Sequence, residues 1–261
     1  MIANSDSPLR VLLLGGTSEA ASLAQRLAND KTVAATLSLA GRTANPAVSP
    51  LPVRVGGFGG VDGLSGYLTC ENIDLLIDAT HPFAANISRN AISAAAVARI
   101  PLLAVERPPW TPIKGDDWTE HDSIEAAIAG LPSTPQDVFS GLGRQAIPAL
   151  SGAPQHRYVI RVVDASEPPA DLPLATIIAA RGPFHTEDDI ALFTRHGIRH
   201  VLAKNAGGNA TYSKIEAARQ LGIKVHMVRR PAIGLRPTVT SVEEALAWIE
   251  THRHRRSARG V

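Results

Sequence analysis

An α/β architecture of two doubly wound, mainly parallel lobes with a cleft between them is what this sequence predicts. Three observations carry that expectation. Short aliphatic runs alternate with amphipathic stretches along the 261-residue chain. Aromatic residues make up only 4% of it, so aliphatic side chains have to build the core. Several of the apolar runs end in glycine beside a polar residue, the pattern of a strand whose carboxyl end faces a ligand.

The elements follow in order. Leu9–Leu14 reads as a strand, Ser18–Ala28 as an amphipathic helix, and Val33–Leu39 as a second strand ending at Gly41-Arg42-Thr43. Val53–Val55 is a short third strand that runs into Gly56-Gly57-Phe58-Gly59-Gly60. Residues 74–79 form a buried-type strand ending in Thr80-His81-Pro82-Phe83, residues 84–98 a helix, and Leu102–Val105 the next strand. Proline spacing at Pro108-Pro109-Trp110-Thr111-Pro112, and again at Leu131-Pro132-Ser133-Thr134-Pro135, breaks the alternation and reads as a connection. Beyond it, strands are expected at 138–140, 158–163, 175–179, 200–203 and Lys224–Val228. Helices are expected at 186–196, 211–221 and 241–250. The expected division is a nucleotide-binding lobe at 1–110, a connection at 111–135 and a second α/β lobe at 136–261.

Composition limits the function classes. Apolar residues are 44% and charged residues 19%, which suits a packed globular core. The net charge of +2 is too small to imply nucleic-acid binding. The basic excess sits in His252-Arg253-His254-Arg255-Arg256 and Arg259, read as a solvated, mobile end. Cys70 is the single cysteine, so no internal disulfide or cysteine metal cluster can form, and a reduced cytoplasmic setting is expected. No apolar run approaches a membrane span, and residues 1–9 lack the apolar region of a signal peptide. No Gly-x-Ser-x-Gly elbow, Walker lysine or His-Glu-x-x-His pair occurs, and no metal site is expected. With no exposed apolar stripe in evidence, a monomer is expected.

Five strand ends carry the chemistry. Gly15-Gly16-Thr17 would let a ligand approach backbone, with the following helix N-terminus offering N–H groups to an anion. The third glycine of a dinucleotide fingerprint is missing, with Ala20 and Ala21 in its neighbourhood. Glu19, in the first helical turn, would repel phosphate; it is either a dipole-stabilised first-turn residue or a ribose ligand. Arg42, with Thr43, stands where a dinucleotide's adenosine ribose is read, and an arginine there suits a 2′-phosphate: NADPH rather than NADH. Thr80 and His81 are candidates for the ribose or nicotinamide end, with His81 a candidate proton donor. Gly141-Leu142-Gly143-Arg144 and Lys204-Asn205-Ala206-Gly207-Gly208, with Thr211, Tyr212 and Lys214 beyond, form the other two ends.

Several of these runs resemble one family. Leu14-Gly15-Gly16-Thr17-Ser18-Glu19-Ala20, Asp78-Ala79-Thr80-His81-Pro82-Phe83-Ala84, Glu106-Arg107-Pro108-Pro109-Trp110 and Arg181-Gly182-Pro183-Phe184 are similar to the CobK/CbiJ precorrin-6A reductases of cobalamin biosynthesis. So are Lys204-Asn205-Ala206-Gly207-Gly208, Lys214-Ile215-Glu216-Ala217-Ala218-Arg219 and Arg229-Arg230-Pro231. The resemblance covers residues 11–249; where the family commonly has Asn-Ser-Gly, this chain has Asn205-Ala206-Gly207. It implies two Rossmann-like lobes and an NADPH-dependent reduction of one carbon–carbon double bond of precorrin-6A, giving precorrin-6B. For such a polycarboxylate tetrapyrrole, Arg144, Lys204, Asn205, Tyr212 and Lys214 are the expected substrate ligands. The same reaction on cobalt-precorrin-6A, another NADPH-dependent reductase on an unrelated small molecule, and a non-catalytic tetrapyrrole or nucleotide carrier are the alternatives.

Overall fold

The computed structural model describes residues 7–41, 48–164 and 167–259. Contacts divide the chain into two compact units, Met1–Arg107 with Ala232–Val261, and Pro108–Pro231. The first unit begins with β1 (Leu9–Leu14), α1 (Ser18–Ala28), β2 (Val33–Leu39), β3 (Val53–Val55), α2 (Gly60–Cys70), β4 (Leu75–Asp78), α3 (Ala85–Ala98) and β5 (Leu102–Val105). The second comprises β6 (Trp118–His121), α4 (Ile124–Ala129), β7 (Asp137–Ser140), a 3-10 turn (Arg144–Ala146) running into α5 (Ile147–Leu150), β8 (Arg157–Val162), β9 (Thr176–Ala179), α6 (Thr186–Arg195), β10 (His200–Lys204), α7 (Ser213–Leu221) and β11 (Lys224–Val228). The chain then returns to the first unit for β12 (Thr238–Val239) and α8 (Val242–Arg259).

Each unit holds a six-stranded sheet, ordered β12-β5-β4-β1-β2-β3 and β6-β11-β10-β7-β8-β9. Among the described residues all the strand pairs are parallel. A parallel strand covered on both faces reads as an unbroken apolar run, and β1 shows why. Leu9, Val11 and Leu13 pack with Leu23 and Leu27 of α1 and with Ala245 and Ile249 of α8. Leu12 and Leu14, pointing the other way, pack with Leu64 and Leu68 of α2 and Ala91 and Ala94 of α3. In the second unit Phe139, Val201, Ala203, Val225 and Met227 form one face under Phe193 and Ile215.

The structure departs from expectation where pairing is long-range. Residues 111–135 are not a bare connection: β6 and α4 belong to the second unit, with Trp118 in register with Val225. Residues 232–261 are not part of the second lobe: β12 pairs with β5, Thr238 against Ala104, and α8 covers the first sheet. Both edge strands are too short or too polar to announce themselves by pattern. The basic end is not a loose tail, because α8 continues through Arg259.

Helix α2 has a glycine-rich sequence that disguises it, and burial of Leu64, Ser65 and Leu68 holds it in place. Gly66 lies exposed within it, and a Cβ there would meet nothing within 4 Å. Gly66→Ala is therefore expected to stabilise the protein by about 0.5–1 kcal/mol, since glycine loses more backbone entropy than alanine in a helix. A urea midpoint at or below that of the parent would contradict this.

Candidate functional site

In an open parallel sheet the ligand crevice lies beyond the carboxyl ends of the two strands where the order reverses. In the first unit these are β1 and β4, paired with Leu14 opposite Asp78. Their outgoing turns are tied together. Thr17 is extended (φ −123°) and caps α1, its Oγ1 accepting from Ala20 N at 3.1 Å while donating to Ala79 O at 2.8 Å. Gly15 has no room for a side chain, because a Cβ would stand 2.5 Å from Leu37 Cδ1. Gly16 is the opposite case: φ is +124°, and nothing lies within 4 Å of where its Cβ would be. The turn therefore packs tightly beneath and stays open above, beside the N–H groups of the first turn of α1, which have no acceptor within the helix.

Glu19 does not leave a bare negative charge at this helix end. Its Oε2 accepts from Arg107 Nη1 at 2.7 Å, and both side chains are largely buried. The pair offsets the repulsion that the sequence alone implied. On the β4 side, Asp78 is 2% exposed, and its Oδ1 accepts from Thr80 Oγ1 at 2.7 Å and Thr80 N at 3.2 Å. His81 Nδ1 accepts from Phe83 N at 3.2 Å, which leaves Nε2 to carry the hydrogen of the neutral ring. The structure thus brings Gly15, Gly16, Thr17, Glu19, Thr80 and His81 to one end of the first sheet; Arg42 and Thr43 lie outside the described residues.

The second unit repeats the arrangement at β7 and β10, where Ser140 is opposite Leu202. Arg144 is exposed at the start of the 3-10 turn, after Gly143 with φ +81°. Lys204, half-buried, ends β10. Three expected substrate ligands prove to have other work. Asn205 is 6% exposed, and its amide is spent on Trp110: Oδ1 accepts from Trp110 N at 2.8 Å and Nδ2 donates to Trp110 O at 2.9 Å. Lys214 is also 6% exposed; its Nζ donates to Thr211 O and lies 4.8 Å from the Trp110 ring centroid. Tyr212 packs its ring on Trp110 at 5.5 Å, and its hydroxyl accepts from Arg219 Nη2 at 2.6 Å. These side chains brace the loop after β10 from within, because Trp110 gives them an aromatic wall and two backbone partners to satisfy.

Sequence reasoning passed over the buried cation that braces the neighbouring loop. Arg161, on β8, sits between the Phe139 ring (4.8 Å) and the Phe184 ring (4.1 Å) and pairs with Asp189, whose Oδ2 accepts from Ser213 Oγ at 2.6 Å. It holds the Arg181-Gly182-Pro183-Phe184 loop, and Phe184 N donates to Ala210 O at 3.2 Å. The stacked aromatic partners come from distant parts of the chain, so no local signal marked the residue.

Comparison with known proteins identifies the family. Residues 10–250 match the family described as precorrin-6x reductase CbiJ/CobK. A precorrin-6A reductase from Sinorhizobium sp is 51% identical over 237 residues, covering 91% of each chain. A cobalt-precorrin-6A reductase from Priestia megaterium is 28% identical over 250 residues, covering 90% of this chain and 96% of its own. A solved structure, CobK precorrin-6A reductase, superposes with a TM-score of 0.89 at 47% identity, covering 94% of this chain and 97% of that one. The open glycine turn, the paired strand ends and the match over nearly the whole length lead to one assignment: the chain belongs to the CbiJ/CobK precorrin-6x reductase family.

Proposed function

We propose that this protein reduces one carbon–carbon double bond of precorrin-6A to give precorrin-6B in cobalamin biosynthesis, with NADPH as the reductant. The observation that carries the cofactor reading is the open turn at Gly16 against the capped N-terminus of α1, with Glu19 neutralised by Arg107. Bound NADPH would supply the hydride; a proton completes the addition, so the product gains two hydrogens. Gly15, Gly16 and Thr17 bring backbone to the cofactor, Arg42 and Thr43 hold its 2′-phosphate, and Thr80 and His81 face its ribose or nicotinamide end. His81 stays the protein's candidate proton donor; to serve it must first become the imidazolium and release Nδ1 from Phe83 N, because the Nε2–H of the neutral ring donates a hydrogen bond but is not acidic. In the second unit Arg144 and Lys204 remain as anchors for substrate carboxylates. The working unit in this reading is a monomer, and its setting is the cytoplasm, where a lone thiol such as Cys70 stays reduced.

The test is anaerobic NADPH oxidation by the purified protein. Oxidation that requires precorrin-6A and yields a product two hydrogens heavier is the expected result. Oxidation only with cobalt-precorrin-6A would shift the substrate to the metal-containing one, and none with either would end the reductase reading. Arg42→Ala is expected to weaken NADPH more than NADH by about 1.5–3 kcal/mol, the worth of a charged hydrogen bond. Equal weakening of both cofactors would remove Arg42 from the 2′-phosphate.

A further inference from the structure

The carboxyl side of the first sheet holds a buried charge cluster that none of the motifs contains in full. Asp78 ends β4, Glu106 follows β5, and Arg236 comes from the segment that returns to the unit just before β12. The Arg236 side chain is 8% exposed and that of Asp78 1%. Arg236 Nη2 donates to Glu106 Oε2 at 3.2 Å and stands 3.8 Å from Asp78 Oδ2, an ion pair too long for a hydrogen bond. Asp78 Oδ2 and Arg236 Nη1 are both fully buried without a hydrogen-bond partner. The guanidinium therefore holds this carboxylate by charge, through one oxygen, while the other oxygen holds both the backbone and the hydroxyl of Thr80. A buried carboxylate is costly without a compensating charge, and Arg236 supplies it. The arginine is itself constrained: its segment is tied down where Arg89 Nη2 donates to Ala232 O at 2.8 Å, and Ala104 N donates to Pro237 O at 2.8 Å.

We propose that Arg236 is a positioning residue for the turn that leaves β4: it fixes the Asp78 carboxylate, and that carboxylate fixes Thr80 and the direction in which His81 departs. The proposal rests on the reading that Thr80 and His81 face the reacting end of the cofactor. Arg236 meets both carboxylates with one nitrogen, Nη2, at the end of a rigid, planar guanidinium. A lysine keeps the charge but carries it on a shorter, flexible stem, so the point from which both carboxylates are met is no longer fixed. Misplacing a positioning group costs turnover far more than binding made elsewhere on the ligand.

The test is a double-mutant cycle on the intact protein with Arg236→Lys, Thr80→Ala and the pair, reading kcat for precorrin-6A reduction, NADPH Kd and thermal melting. Arg236→Lys is expected to lower kcat per folded molecule by about tenfold or more while NADPH Kd moves by less than about threefold. Thr80→Ala should lower kcat as well, and adding Arg236→Lys to it should cost little more, because both act through one contact. Full kcat in Arg236→Lys with a defective Thr80→Ala overturns the role of Arg236 and leaves the cofactor reading standing. Full kcat in Thr80→Ala overturns that reading of Thr80 and the coupling with it. Additive losses, or a Kd that rises as much as kcat falls, overturn the coupling alone. Should Arg236→Lys not fold, Asp78→Asn removes the charge that Arg236 answers. It must then show the same loss and the same non-additivity with Thr80→Ala.

Discussion

Gly207→Ala is expected to destabilise the second unit by about 2–5 kcal/mol and to abolish precorrin-6A turnover before it affects NADPH binding. Gly207 adopts φ +69°, a conformation that costs an L-residue about 1–2 kcal/mol. A Cβ there would also stand 2.2 Å from Pro108 O and 2.5 Å from Arg230 Nη2. The arginine end can swing away, but the carbonyl is backbone, and forced overpacking costs about 1–3 kcal/mol more. The neighbourhood has little slack. Arg230 binds Asn205 O through Nε at 2.9 Å and Ala206 O through Nη2 at 3.1 Å, and Asn205 in turn clamps Trp110. Pushing Pro108 away would loosen the brace behind Lys204. Gly57→Ala is the control, because nothing lies within 4 Å of its Cβ position. Urea unfolding of both variants, with NADPH titration and turnover, is the measurement; a Gly207→Ala midpoint equal to that of Gly57→Ala would refute the expectation.

Acid should weaken the protein through a row of three histidines in the second sheet. His121 Nε2 lies 3.2 Å from His226 Nδ1, and His226 Nε2 lies 3.1 Å from His200 Nδ1. Such a row is satisfied when each ring is neutral, giving one hydrogen and accepting another. Burial pushes the His226 imidazole down to about 4, and the rings of His200 and His121 push it the same way. Burial also lowers His121 and His200, with Arg229 beside the first and His156 beside the second. Lys224 adds to the lowering at all three, while Asp122 and Asp117 oppose it at His121 and His200. The unfolded chain therefore takes up protons that the folded one refuses. Stability is complete above the unfolded value of about 6.5 and falls with pH between there and about 4. His226 alone accounts for roughly 3 kcal/mol over that window. Denaturant midpoints at pH 7.5 and pH 4.5 check it: the difference should shrink in His226→Leu, and an identical difference in parent and variant would refute the role of the row.

The central strands were legible because burial on both faces demands continuous aliphatic runs. Leu9–Leu14 and Val33–Leu39 are placed as read, and so is the helix between them, whose Thr17 cap marks its start. The turn at Gly15-Gly16-Thr17 was legible for the same local reasons. Trp118–His121 and Thr238–Val239 were not: they are strands because Val225 and Ala104 lie beside them, and no local pattern records that. At the candidate site the residue types were visible, but their partners were not. Nothing local in the sequence distinguishes Lys214 under Trp110 from an exposed anchor, or Asn205 as a clamp from Asn205 as a ligand. The Arg236–Asp78 pair joins positions that only the finished sheet brings together.

The return of residues 232–261 to the first sheet bears on how the polypeptide is made. Synthesis on the ribosome delivers the second unit as one uninterrupted stretch, able to fold as soon as Pro231 has emerged. The unit that starts first finishes last: five of its strands wait uncovered until Thr238 and Val239 arrive to close the edge beside β5, and α8 to cover Leu9, Val11 and Leu13. A premature stop late in the message would thus spare the second unit and leave the product's oldest segment uncovered, a ready substrate for chaperones and proteases.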